Sequence, residues 1–301
     1  MPNPALTSRI ENLPKELMLI QSRKDVRDML GRADSGGARL DGLQGLDGVE
    51  ESALDDYRRE WLGRYVYNSN AIEGSTLSLA DTELILEGQF VPLDGPARYI
   101  FAAKGVADGM DCVRRWAMEG RAVDIDLIRA IHAMTALDVQ PVMRGAFRPY
   151  GYTARIVGAR IKTADALEIW DDLEKLIDST RRSDAHPILK TAAFHMLFEN
   201  VHPFADGNGR TGRQLLNLML MESGYQPIAI EHDAGRAYGR SLERWQAYDD
   251  PAPFLSLITD CISQEQGNIA AIIKRIRYDE PSRAADTGAT MRPENGSALM
   301  R

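Results

Sequence analysis

Between residues 202 and 213 the chain reads His-Pro-Phe-Ala-Asp-Gly-Asn-Gly-Arg-Thr-Gly-Arg, a set of residue types that can hold a polyphosphate and move a proton beside it. Pro203 disfavours helical backbone before it, so the preceding helix, rich in Ala, Leu, Phe and Met, is predicted to end near Val201. Asp206-Gly207-Asn208-Gly209 predicts a tight turn whose glycines let backbone N–H groups approach a ligand closely. Those N–H groups, with the positive end of the next helix, form an anion site. Arg210 and Arg213 lie three apart in its first turn and share a face, and each guanidinium can fork onto phosphate oxygens. Asp206 at the mouth is a candidate Mg²⁺ ligand, because Mg²⁺ favours one or two carboxylates plus phosphate oxygens. His202 is a candidate general base for an attacking hydroxyl. Taken singly, these residues are a buried histidine, a helix stop, a glycine turn and solvated arginines; taken together they point to chemistry.

Three other motif readings compete. Gly207-Asn-Gly-Arg-Thr-Gly212 matches the dinucleotide pattern G-x-G-x-x-G, with Glu231 near the position of a ribose-binding acid. That pattern needs a strand ending against its first glycine, whereas a helix-like Thr191–Asn200 stretch precedes this one. An EF-hand counted from Asp206 would need glutamate at its twelfth position and finds Asn217. No phosphate-loop pattern ending in Gly-Lys-Ser/Thr occurs.

The elements that must position this segment read as helices. Leu54, Tyr57, Trp61 and Tyr65 recur on one face of a helix from Glu50 that stops at Gly74. Further helices are predicted at about 79–87, 96–118, 124–135, 164–181, 187–200, 209–223, 236–248 and 252–277, with Asp124 and Thr163 as N-caps. Residues 150–162 read instead as a short two-stranded ribbon around Gly158. The stretch holding Gly31, Gly36, Gly37, Gly42, Gly45 and Gly48 reads as a linker too rich in glycine for a helix, and Asp279–Arg301 as a disordered tail. This divides the chain into an N-terminal helical and linker segment (1–48), a catalytic body (49–278) and the tail (279–301).

The 301 residues suffice for a sizeable core, and 44% hydrophobic with 27% charged residues is ordinary for a globular protein. No apolar run approaches the length of a membrane span, and residues 1–16 lack a charged-then-apolar leader, so a cytoplasmic protein is expected. Cys112 and Cys261 are too few for a disulfide framework and read as core residues. A net charge of −8 argues against a nucleic-acid partner. One run is locally basic: Arg144, Arg148, Arg155, Arg160 and Lys162, with no acidic residue among them. Composition alone favours a solvated face for it.

His202–Arg213 resembles the signature of the Fic family, H-x-F-x-[D/E]-G-N-G-R-x-x-R, at every defined position, and the similarity extends from about Asn68 to Ile262. Ser69-Asn-Ala-Ile-Glu73-Gly74 resembles the family's inhibitory pattern, and its place on the preceding helix (about 51–74) matches the class with an N-terminal inhibitory helix. The resemblance implies an all-α fold, a Fic-type helical domain with a small β-hairpin flap at 150–162. It implies a protein adenylyltransferase moving AMP from ATP to a Tyr, Thr or Ser hydroxyl of a target protein. His202 would be the base, Asp206 the Mg²⁺ ligand, and Gly207, Asn208 and Gly209 the cradle for the inner phosphates. Arg210 and Arg213, with Thr211 and Gly212 between them, would serve the outer phosphates, while Phe204 anchors the loop. Val157, Gly158, Ala159 and Arg160 would lie against the nucleotide and Tyr238 near adenine; Gln246 stands where some relatives have asparagine. The basic run would then face ATP or a target docked on the flap by strand addition. Glu73, with Ser69 and Gly74, would pair with Arg213 and misplace the outer phosphate. Removal of AMP at the same site, or a nucleotide-binding regulatory module with little turnover, are the competing readings. Auto-modification and a homo-oligomer are further expectations.

Overall fold

The computed structural model describes residues 3–41, 46–89, 96–152, 154 and 161–287. Among them, twelve α-helices follow in order: α1 (Pro4–Glu11), α2 (Leu13–Gln21), α3 (Lys24–Asp41), α4 (Gly48–Ile72), α5 (Leu79–Leu86), α6 (Arg98–Met118), α7 (Ile125–Thr135), α8 (Ile169–Arg182), α9 (Pro187–Val201), α10 (Asn208–Glu222), α11 (Gly235–Tyr248) and α12 (Ala252–Thr287). No strand occurs among the described residues, as expected of an all-α fold. The ribbon proposed at 150–162 lies largely outside them, including Val157, Gly158, Ala159 and Arg160.

Local chemistry sets many helix starts. Asp47 and Glu50 close a capping box at α4, Ser78 and Asp81 another at α5, and the Asp124 carboxylate accepts the Leu127 N–H at 2.7 Å to cap α7. Thr163 does not cap α8. Its hydroxyl donates to the Ala154 carbonyl at 3.1 Å, and the helix begins only at Ile169.

α9 forms the centre, buried at every position from Thr191 to Val201. α10 packs beside it, and α6 and α7 cover α10. α6 approaches α7 so closely that a Cβ at Gly105 would sit 2.5 Å from the Thr135 carbonyl oxygen. The Trp61 and Tyr65 rings stack at 5.1 Å on the face of α4 expected to be buried.

Two expectations are corrected. The glycine-rich segment is helical to Asp41, because α3 lies along α12 and packing outweighs propensity. Gly36 makes that approach, since a side chain there would strike Gln266. Leu6, Ile10, Leu17, Val26 and Leu30 of α1–α3 join the same core as Phe198 and Phe204. At the other end, α12 continues as helix beyond residue 278, past Pro281, to Thr287, since extending a packed helix costs less than nucleating one.

Candidate active site

α9 ends where Pro203 requires it. His202 follows in the left-handed conformation (φ 52°, ψ 61°), its N–H donating to the Phe198 carbonyl at 2.9 Å. Asn208 then closes the loop: its Oδ1 accepts the Phe204 N–H and its Nδ2 donates to the Phe204 carbonyl, both at 2.9 Å. The Phe204 ring is fully buried and stacks on His132 of α7 at 3.7 Å. His132 Nδ1 accepts the Gly145 N–H at 2.8 Å, so its Nε2–H donates to the Asp206 carbonyl at 2.9 Å. Burial pushes the His132 pKa down to about 4, which keeps the ring in the neutral form both bonds require. Gly207 takes φ 77° to turn the chain into α10.

The loop forms one wall of a cavity of about 510 Å³ lined by Ile72, Glu73, Glu199, His202, Asp206, Gly207, Asn208, Gly209, Arg213, Tyr238 and Gln246, among others. The N-terminus of α10 therefore opens on the cavity, as an anion site should. Burial holds His202 below its ordinary pKa. Its Nδ1 lies 3.3 Å from the Glu199 carbonyl, an arrangement in which Nδ1–H donates and Nε2 keeps its lone pair. Asp206 is exposed at the rim. Gln246 donates from Nε2 to the Met196 carbonyl at 3.0 Å.

Arg213 is buried and heavily engaged. Its Nε donates to Ser69 Oγ at 3.0 Å, and its Nη2 donates to the Ser69 carbonyl and to Glu73 Oε1, both at 2.8 Å. Burial disfavours its charge, but Glu73 beside it holds it protonated above its ordinary pKa. α4 presents Glu73 by ending abruptly: the Gly74 and Ser75 N–H groups donate to the Ala71 and Asn70 carbonyls, with Gly74 left-handed at φ 87°. The Glu73 carboxylate thereby lies directly over Gly209, where any β-carbon would collide with it. Tyr238 sits with its ring 5.9 Å from the Arg213 guanidinium carbon and its hydroxyl 2.7 Å from His195 Nε2.

Other expected residues lie elsewhere. Arg210 is buried and donates from Nη1 to Asp138 at 2.6 Å, outside the cavity lining. Thr211 is fully buried with its hydroxyl on the Gly207 carbonyl, and Gly212 packs against Glu199 and His195. The basic run also differs from expectation at two positions: Arg144 and Arg148 donate to backbone carbonyls, those of Leu137 and Val139 for the former. Arg155 and Arg160 lie outside the described residues.

Residues 122–220 match the family model described as Fic/DOC. The chain carries a Fic/DOC domain. That match takes in α7 through most of α10, and so both His132 and the whole loop, while Glu73 lies upstream of it. The protein named protein adenylyltransferase Fic of Drosophila melanogaster is 29% identical over 260 residues, 82% of this chain and 51% of the fly protein. Its namesake in Drosophila yakuba is 30% identical over 224 residues, 72% of this chain and 44% of that one. The chain thus spans about half the length of the curated relatives it matches. Among solved structures, Fic-1 (residues 134–508) from C. elegans superposes with a TM-score of 0.68 at 29% identity, covering 82% of this chain and 71% of that one. A Fic domain-containing signaling protein from Bacteroides thetaiotaomicron shares the fold, with a TM-score of 0.70 at 21% identity over 83% and 98% of the two chains.

Within this Fic domain, sequence reasoning missed His132, Asp138, Glu199 and His195. For Glu199 a signal existed: it is the one acidic residue between Thr191 and Ala205, three residues before His202. Asp138 and His132 have none, because the contacts that tie them to the loop segment, with Arg210 and the Asp206 carbonyl, span more than seventy positions.

Proposed function

We propose that this chain is a protein adenylyltransferase, transferring AMP from ATP to a hydroxyl of a target protein with release of pyrophosphate. The observation that carries the reading is the single cavity in which a neutral His202, the N-terminus of α10 and the Arg213 guanidinium converge. The helix N-terminus at Gly207–Gly209 receives the phosphates. His202 Nε2 takes the proton of the acceptor hydroxyl, while its Nδ1–H is held by the Glu199 carbonyl. Among the described residues no three His, Cys, Asp or Glu side chains group as a metal site, so Asp206 supplies one carboxylate and any Mg²⁺ takes its other ligands from phosphate and water. Such an ion would offset phosphate charge. For Arg210 to reach a phosphate it must exchange Asp138 for it.

We read the Glu73–Arg213 pair as inhibitory. It removes the free cation from the cavity and lays a carboxylate over the helix N-terminus, where an outer phosphate would otherwise rest. The unchanged chain should therefore transfer weakly. Labelled ATP with Mg²⁺ tests this: Glu73→Gly should raise auto-modification or target labelling by about 5- to 100-fold. His202→Ala in that background should lose about 10²- to 10⁴-fold while still binding ATP. A Glu73→Gly chain that binds ATP without turnover would leave a regulatory module instead. Half-buried free thiols at Cys112 and Cys261 accord with a cytoplasmic setting, and among the described residues no helix is long and apolar enough to cross a membrane.

A further inference from the structure

Arg148 belongs to the acid-free run that composition reads as a solvated face, yet it is only 3% exposed. Its side chain is spent on backbone carbonyls from three separate stretches. Nε donates to His202 at 2.8 Å, Nη2 donates to Ala164 and, at 3.4 Å, to Val201, and Nη1 donates to Tyr152 at 3.1 Å. Its own N–H donates to the Pro203 carbonyl at 2.9 Å. A second tie runs parallel, from the Tyr152 hydroxyl to the Ala205 carbonyl at 3.3 Å. One planar fork therefore joins Tyr152 and Ala164, twelve positions apart, to the left-handed residue at the end of α9. Only a guanidinium offers so many donors in a fixed plane; a lysine has three on a flexible stem.

We propose that Arg148 is a positioning residue for the transfer, locking the left-handed backbone of His202 to the carbonyls of Tyr152 and Ala164 in one register, so that the base is held where the acceptor hydroxyl must meet it. This rests on the adenylyltransferase reading for its catalytic consequence, but not for its structural one.

The test compares Arg148→Met and Arg148→Lys with their parent, full-length Glu73→Gly, using labelled ATP. In both, kcat should fall on the order of 10²-fold while KM for ATP stays near the parental value, since Arg148 is absent from the phosphate-cavity lining. The His202 imidazole, titrated by NMR without nucleotide, separates charge from geometry. The groups facing it are Glu199 from α9, Glu73 at the end of α4 (absent from the parent), Asp206 in the loop and Arg148, whose charge adds to burial in holding its pKa down. Arg148→Met should therefore titrate higher and Arg148→Lys close to parent, although both lose kcat. Parental kcat in either folded variant would overturn the proposal. Should both fail to fold, the unsubstituted chain decides: the Arg148 Nε–H should resist solvent exchange, and exchange at the rate of an exposed arginine would refute the lock. Absent transfer in the parent, with the His202 shift intact, would count against adenylyl transfer and leave the lock standing.

Discussion

Glu199 carries a carboxyl that folding has placed in an unfavourable position. It is buried in the cavity wall, its Oε1 has no hydrogen-bond partner among the described residues, and burial pushes its pKa up to about 8 against the partial relief of Arg213. At neutral pH it is therefore protonated in the folded chain and ionised in the unfolded one. The sign follows directly: a raised folded pKa is harmless below the unfolded value near 4.5 and costs stability progressively up to about 8. Glu199→Gln keeps the shape and removes the titration, so it should stabilise the protein by about 3 kcal/mol at pH 7 and by almost nothing at pH 4. Urea unfolding at the two pH values checks this; equal gains at both would show that Glu199 is not proton-linked.

At the scale of elements, close helix crossings rather than loops aim the site. α7 delivers His132 beneath the Asp206 carbonyl only because α6 lets it approach through Gly105. A methyl group there meets the Thr135 carbonyl oxygen at 2.5 Å and that of Met134 at 3.0 Å, backbone atoms that cannot swing aside. Gly105→Ala should cost about 1–3 kcal/mol by overpacking despite its better helix propensity. Gly31→Ala in α3 is the internal control. Nothing lies within 4 Å of its would-be β-carbon, so it should gain about 0.5–1 kcal/mol. Thermal denaturation separates the pair, and a stabilising Gly105→Ala would remove the tight α6–α7 crossing as the device that places His132.

The whole molecule inherits opposing titrations from its interior. Burial holds His195 at about 3 and His132 at about 4, so each stays neutral in the folded chain while the unfolded chain protonates it below about 6.5. A depressed folded pKa on a base contributes stability that is present above 6.5 and lost as pH falls toward those values. Glu199 acts in the other direction up to about 8. Stability should therefore peak near pH 6.5, declining by roughly 1.4 kcal/mol per unit toward pH 8 through Glu199. Calorimetry across pH 5–8 tests it, and a midpoint still climbing from 6.5 to 8 would contradict the assignment of Glu199 as the group responsible.

What the amino-acid sequence determined by itself is chemistry that is contiguous along the chain. Pro203 ends α9, Gly207 turns the loop, Asn208 opens α10, and Gly74 stops α4 one residue past Glu73, each through backbone preferences that need no distant partner. The periodic burial of Trp61 and Tyr65 was legible for the same reason. Only the tertiary structure decided how charges were spent. Arg210 meets Asp138 across 72 positions, and Arg148 reaches the carbonyls of Val201 and His202 across 53 and 54. Composition gives a solvated face as the default for an arginine run, because exposed charge costs nothing. Once folding withdraws the guanidinium from water, every donor needs an acceptor, and which acceptor lies within 3 Å is a property of packing alone. The helix through Gly31, Gly36 and Gly37 has the same origin, since burying α3 against α12 outweighs the glycines' weak local preference.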